Sequence, residues 1–154
     1  MNKFVLTGLI LMGAGTSLIA SPGYAAECSA VIEADDAMRF NPDKIDVPKS
    51  CAQFTVQLKH TGRLPKAAMG HNWVLVKQSD INGVGRTGMA AGEALDFIDP
   101  TDSRVIAHTA IIGAGEASSV TFPVNKLQQG VRYSFLCTFA GHSPIMQGTL
   151  TLAP

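Results

Sequence analysis

The sequence predicts an all-β fold, a sandwich or closed barrel of short strands, and three observations carry that reading. β-branched and aromatic residues recur in short runs of three to six that alternate or stay apolar. Turn residues separate these runs at close intervals. The chain that follows an apolar leader is long enough for one domain with a core, and no repeat or linker divides it.

The leader comes first. The chain of 154 residues opens Met1-Asn2-Lys3, runs through an apolar stretch over 4–20 that contains three glycines, and reaches Gly23-Tyr24-Ala25. A basic start, a short apolar centre and small residues at the cleavage positions describe a secretory signal over 1–25, with a single domain over 26–154. The apolar stretch is short for a membrane span and lacks a stop-transfer flank. The twelve basic and twelve acidic side chains of the whole chain become eleven and twelve once Lys3 is removed. Such a balance gives no basic patch for nucleic acid or for an anionic membrane.

Candidate strands follow in order over 30–32, 54–59 (FTVQLK), 72–77 (NWVLVK), 104–108 (RVIAH), 119–124 (SVTFPV), 133–138 (YSFLCT) and 147–152 (QGTLTL). Asn41-Pro42-Asp43, Thr61-Gly62, Gly113-Ala114-Gly115 and Gln129-Gly130 supply the turns between them. Residues 80–99 are the exception, poor in β-branched residues and rich in Gly, Ala and Met. There 88–97 is expected to form a short helix outside the sheets.

Cysteine usage bears on function. An exported chain matures where paired thiols oxidise, and three cysteines leave one over. Cys28 and Cys51 each lie beside a candidate strand near the start of the mature chain, and a bridge between them would stabilise by about 3 to 4 kcal/mol in the chain-entropy model. Cys137 is then unpaired, and pairing it instead would strand a thiol near the amino terminus. Cys137 also opens the segment CTFAGHSPIM, in which His142 and Met146 follow after four and three residues. Thiolate, imidazole and thioether together are the donors that suit an ion cycling between Cu(I) and Cu(II). Gly141 permits a tight path, Pro144 stiffens the turn, and Phe139, Ala140 and Ile145 limit water. A further donor must come from elsewhere, and His71 in Met69-Gly70-His71-Asn72-Trp73 is the strongest candidate.

Spacing alone leaves a structural reading open. A buried free Cys behaves as a small hydrophobe and a Met after a turn as core filler. Two further classes fit the same residues: a copper storage or delivery protein with a labile site, and a Cys–His hydrolase using Cys137 as nucleophile with His142 or His71 as base. The hydrolase needs an oxyanion hole that no motif here supplies.

The segments quoted above, with Glu27-Cys28-Ser29, Lys49-Ser50-Cys51, Asp102-Ser103-Arg104 and the C-terminal Gly148-Thr149-Leu150-Thr151-Leu152, closely resemble the azurin family. These are bacterial periplasmic blue copper proteins of the cupredoxin group. The four-and-three spacing of the ligand loop is specific to that family, plastocyanins having a shorter gap between Cys and His. The resemblance implies an eight-stranded Greek-key sandwich with an external helical flap. It implies one copper per chain, held by His71, Cys137 and His142, with Met146 and the Gly70 carbonyl as weak axial groups. Asn72 and the Phe139 amide would steady the Cys137 sulfur, Trp73 would pack in the core, and His60 and His108 would not be ligands. It further implies a periplasmic, monomeric electron carrier and not an enzyme. Its expected partners, c-type cytochromes and periplasmic reductases or dehydrogenases, would dock on Leu64, Met69, Met89, Ala140, Pro144 and Ile145 around His142. The loop departs from the family's usual pattern at Ala140, where proline is common, and at Pro144, where a small residue is common.

Overall fold

The computed structural model describes residues 27–154, so the expected signal over 1–25 lies outside the described residues. Nine strands and two α-helices follow one another: β1 Ser29–Ala34, β2 Phe40–Asn41, β3 Lys44–Pro48, β4 Gln53–His60, α1 Lys66–Met69, β5 Val74–Lys77, α2 Ile81–Ala91, β6 Ala107–His108, β7 Ala117–Pro123, β8 Tyr133–Leu136 and β9 Gln147–Ala153. They form a four-stranded sheet in the order β2-β1-β4-β7 and a five-stranded sheet in the order β3-β9-β8-β5-β6. β1 lies parallel to β4 and β3 parallel to β9, the other pairs being antiparallel. The count exceeds the expected eight by one, and β2 and β6, at sheet edges, are only two residues long.

Side-chain alternation places the core. In β4, Phe54, Val56 and Leu58 are at most 1% exposed, while Thr55 and Gln57 between them are half-buried and Gln53 and Lys59 on either side face solvent. Burying each of these side chains stabilises by roughly 1.5 to 3 kcal/mol. His60 is the next residue on that inward face. One continuous apolar cluster joins Ile32, Val56 and Leu58 of one sheet to Leu75, Phe135 and Leu150 of the other, and it extends to Cys137 and Met146. Trp73 sits in this cluster, 5.5 Å from the Phe135 ring and stacked on Phe122. That is a packing role, as expected.

β8 is buried on both faces, Ser134 included, which explains why its sequence does not alternate with exposed polar residues. A second, smaller cluster of Val74, Val76, Val84, Ile98 and Leu136 seals the outer face of β5 and β8 beneath α2. The helix expected over 88–97 is therefore displaced: it spans Ile81–Ala91, and Gly92 at φ 75° turns the chain out of it. Three glycines within α2 cost about 1 kcal/mol each relative to alanine. Burial of Val84 and close packing of the glycines themselves offset that cost.

The disulfide joins Cys28 to Cys51, and Cys137 is the free, buried cysteine among the described residues. No helix among the described residues is long and apolar enough to cross a membrane.

Candidate metal centre

Ladder pairing of Leu136 with Gln147 closes the base of the loop over 137–146. Cys137 thus lies one residue beyond β8 and Met146 one residue before β9. Within the loop, Cys137 N–H donates to Met146 O at 3.1 Å, His142 N–H to Phe139 O at 3.0 Å, and Met146 N–H to His142 O at 2.9 Å. Gly141 adopts φ 82°, a left-handed turn that a Cβ would strain. His71 directly precedes the strand expected over 72–77. It stands three residues before β5, held by a reciprocal bridge in which His71 and Ile112 exchange backbone hydrogen bonds of 2.9 Å. Gly70 before it is tightly walled, since a Cβ there would come within 2.6 Å of Lys66 O and 2.9 Å of Ile111 Cδ1.

These elements bring His71, Cys137 and His142 together, one donor atom of each lying within 4.8 Å of the others, and all three are buried. Cys137 Sγ is 3.6 Å from His142 Nδ1 and 3.9 Å from His71 Nδ1. A trigonal ion bonded to nitrogen at about 2.0 Å and to sulfur at about 2.3 Å separates those donors by roughly 3.7 Å. The residues present therefore fit such an ion. The Gly70 carbonyl oxygen is 3.9 Å from Sγ, and Met146 is fully buried in the same cluster as Cys137.

Hydrogen bonds fix how the donors point. His71 Nε2 lies 3.0 Å from Asp35 O, which can only accept, so the proton is on Nε2 and the Nδ1 lone pair faces the sulfur. Burial, reinforced by the neighbouring His60 and His142 rings, lowers the His71 pKa to about 4, so the ring stays neutral. Burial lowers that of His142 too. It pushes the Cys137 thiol up to about 12, opposed by the Asn72 and Phe139 backbone amides that hydrogen-bond the sulfur. A thiol so desolvated becomes a thiolate only beside a positive charge, which is what a metal ion provides.

Asn72 spans the two ligand segments. Its side-chain oxygen accepts from Thr138 N–H at 2.9 Å, and its amide donates to Thr138 Oγ1 and to Asp96 O, each at 2.8 Å. Thr138 Oγ1 in turn donates to Phe97 O at 2.7 Å. Thr138, Asp35 and Phe97 are functional neighbours that sequence reasoning missed. The first carried a faint signal, a hydroxyl directly after the cysteine at a strand end. The other two act through backbone carbonyls and carried none.

The remaining candidates divide by exposure. Ile145 is 63%, Met89 47% and Leu64 41% exposed, Ala140 and Pro144 are exposed, and Met69 is half-buried. His142 retains 4% exposure, whereas His71 has none. The His142 ring packs 4.6 Å from Phe139, which packs 4.8 Å from Phe97. His60 stacks on His71 at 4.6 Å, with Gly62 N–H donating to its Nδ1 and its Nε2 lying 2.9 Å from Met69 O. Both nitrogens are occupied, so it offers no lone pair to a metal. His108 is an exposed strand residue.

A two-sheet sandwich with a buried thiol and two imidazoles converging at one end defines the cupredoxin class of copper protein. The chain belongs to the plastocyanin/azurin family of copper binding proteins, whose family model matches residues 26–153. It is 57% identical to the azurin of Pseudomonas aeruginosa over 136 residues, covering 88% of this chain and 92% of that one. It is 50% identical to the azurin of Bordetella pertussis over 152 residues, covering 99% of each. Among solved structures, an azurin from the obligate methylotroph Methylomonas sp. strain J superposes with a TM-score of 0.81 at 44% identity, over 84% of this chain and all of that one.

Proposed function

We propose that the chain is a one-electron carrier built on a single type 1 copper, with His71, Cys137 and His142 as strong ligands and Met146 and the Gly70 carbonyl as weak axial ones. The observation that carries this is the convergence of one thiol and two imidazole nitrogens at copper-compatible separations in a buried frame. Copper bound there supplies a Cu(I)/Cu(II) couple. The protein's own part is to keep the donors still. Asp35 O fixes the His71 ring, the Asn72 and Phe139 amides stabilise negative charge on sulfur, and Asn72 ties the two segments. A frame that changes little between oxidation states leaves little to reorganise when an electron arrives.

Electrons enter and leave through His142, the one histidine of the three-donor cluster that reaches the surface. Around it, Leu64, Met69, Met89, Ala140, Pro144 and Ile145 form the docking patch in this reading. Contacts of that kind are small and short-lived, below about 1,200 Å². The partners are c-type cytochromes and periplasmic reductases or dehydrogenases. The protein acts as a monomer without enzymatic activity, and it is exported to the periplasm by a signal over 1–25, with 26–154 as the mature domain.

Copper loading tests this. The oxidised protein is expected to show an intense thiolate-to-copper charge-transfer band, and Cys137→Ser to lose it. A colourless loaded protein, or a Cys137→Ser variant that keeps the band, refutes the reading. Loss of the metal to a chelator within minutes would instead favour storage or delivery.

A further inference from the structure

The flap helix carries glycines where a helix would do better without them, and their positions are informative. Ile81, Val84, Gly85 and Gly88 fall on one face of α2, at i, i+3, i+4 and i+7, and the last three are buried. Gly85 faces Ser143, the residue after His142: a Cβ on Gly85 would come within 2.8 Å of Ser143 Oγ and 2.9 Å of its Cβ. Gly88 faces Thr138, the residue after Cys137: a Cβ there would come within 2.7 Å of Thr138 Cβ, 2.9 Å of Cγ2 and 2.5 Å of Phe97 O. Successive glycines on one face thus receive the residues that directly follow two of the proposed ligands.

The segment after the helix reinforces the same contact. Asp96 and Phe97 both adopt left-handed backbone, at φ 52° and 55°, a conformation that costs a non-glycine residue free energy. Held so, their carbonyls accept from Asn72 and Thr138, and the Phe97 ring backs Phe139, which in turn backs His142.

We infer that α2, with the turn at Asp96 and Phe97, is a backing plate that positions the ligand loop, Gly85 and Gly88 being positioning residues that set how closely Ser143 and Thr138 seat. The inference rests on the copper reading for its spectroscopic consequence but not for its mechanical one. An added methyl in so tight a contact cannot be accommodated without displacing its neighbours. Here the neighbours to be displaced are attached to ligands.

The test compares Gly88→Ala, Gly85→Ala and Gly83→Ala, the last as a control on the same helix whose Cβ would meet only the end of the Arg104 side chain. Two readouts are taken: the reaction rate of the Cys137 thiol with an aromatic disulfide reagent in metal-free protein, and the charge-transfer band with its copper hyperfine splitting in loaded protein. Gly88→Ala is expected to speed thiol reaction about tenfold or more and to alter the band, with Gly85→Ala doing the same to a lesser degree. Gly83→Ala should stay within twofold of wild type. Ser143→Gly deletes both atoms that Gly85→Ala would strike, so the double variant should return to within twofold of Ser143→Gly alone. If Gly88→Ala does not fold, the Gly85→Ala and Ser143→Gly pair decides. Gly85→Ala and Gly88→Ala both indistinguishable from wild type, Gly83→Ala as perturbed as either, or no rescue by Ser143→Gly overturns the inference. A wild-type protein that never turns blue would sink the copper reading while leaving the thiol kinetics to judge the plate.

Discussion

Replacing Thr138 by valine removes one hydroxyl from a buried network without changing side-chain shape. That hydroxyl donates to Phe97 O at 2.7 Å and accepts from Asn72 at 2.8 Å. Thr138 is fully buried and Phe97 is 8% exposed, so no water is at hand to replace it. Taking the donor from a buried carbonyl costs about 1 to 3 kcal/mol, and the lost bond from Asn72 adds about 1, giving roughly 2 to 4 kcal/mol. Thr138→Ser keeps the hydroxyl and loses one methyl, about 1 kcal/mol. With a urea slope near 2 kcal/mol per molar, the valine variant should unfold at about 1 to 2 M less urea than wild type, and the serine variant at about 0.5 M less. The measurement is urea unfolding of metal-free protein followed by tryptophan fluorescence. A valine variant as stable as wild type, or a serine variant as weak as valine, would refute the claim that this hydroxyl ties flap to ligand strand.

Other perturbations separate other parts of the molecule. Ile145→Lys puts a charge into the exposed patch and should slow electron transfer with a c-type cytochrome about tenfold with an unchanged visible spectrum; an unaltered rate removes Ile145 from the docking surface. Replacing Cys28 and Cys51 together by serine should lower stability by about 3 to 4 kcal/mol, since the bridge spans 23 residues. The copper spectrum should hold, because the six residues of β1 set the bridge roughly 20 Å from Asp35 and the site. Asp102 accepts from Arg104 and from Thr87 of α2, and the Arg104 side chain foremost depresses its pKa. The stabilisation is thus present above the unfolded carboxylate value near 4 and lost as pH falls toward the folded one. Asp102→Asn should therefore be less stable than wild type at pH 7, with the gap narrowing below about pH 4; urea midpoints at pH 7, 5 and 3 check this, and a constant gap contradicts it.

What was legible in the chain was whatever has a local period or a fixed spacing. The β4 alternation and the loop from Cys137 to Met146 each announce themselves within ten residues, and the odd cysteine needs only a count along the chain. Lys44–Pro48 was missed although Ile45 and Val47 alternate with exposed Lys44 and Asp46, because Pro42 and Pro48 bracket it with turn chemistry. The helix was misplaced because Gly85 and Gly88 occupy positions where an amphipathic pattern would show side chains. Their meaning depends on how near Ser143 and Thr138 approach, and that distance is a property of the folded chain alone. The same holds for Asp35, whose contribution is a carbonyl any residue could have offered.

The rims of the two sheets have a consequence for life at high concentration. β2 and β6 are two residues long, β3 carries Lys44 and Asp46 and stops at Pro48, and β7 presents Ser118, Ser119 and Thr121 before stopping at Pro123. Stunted, charged or proline-ended margins give another copy little to zip onto. Copies that collide therefore meet no open ladder along these margins on which to fuse.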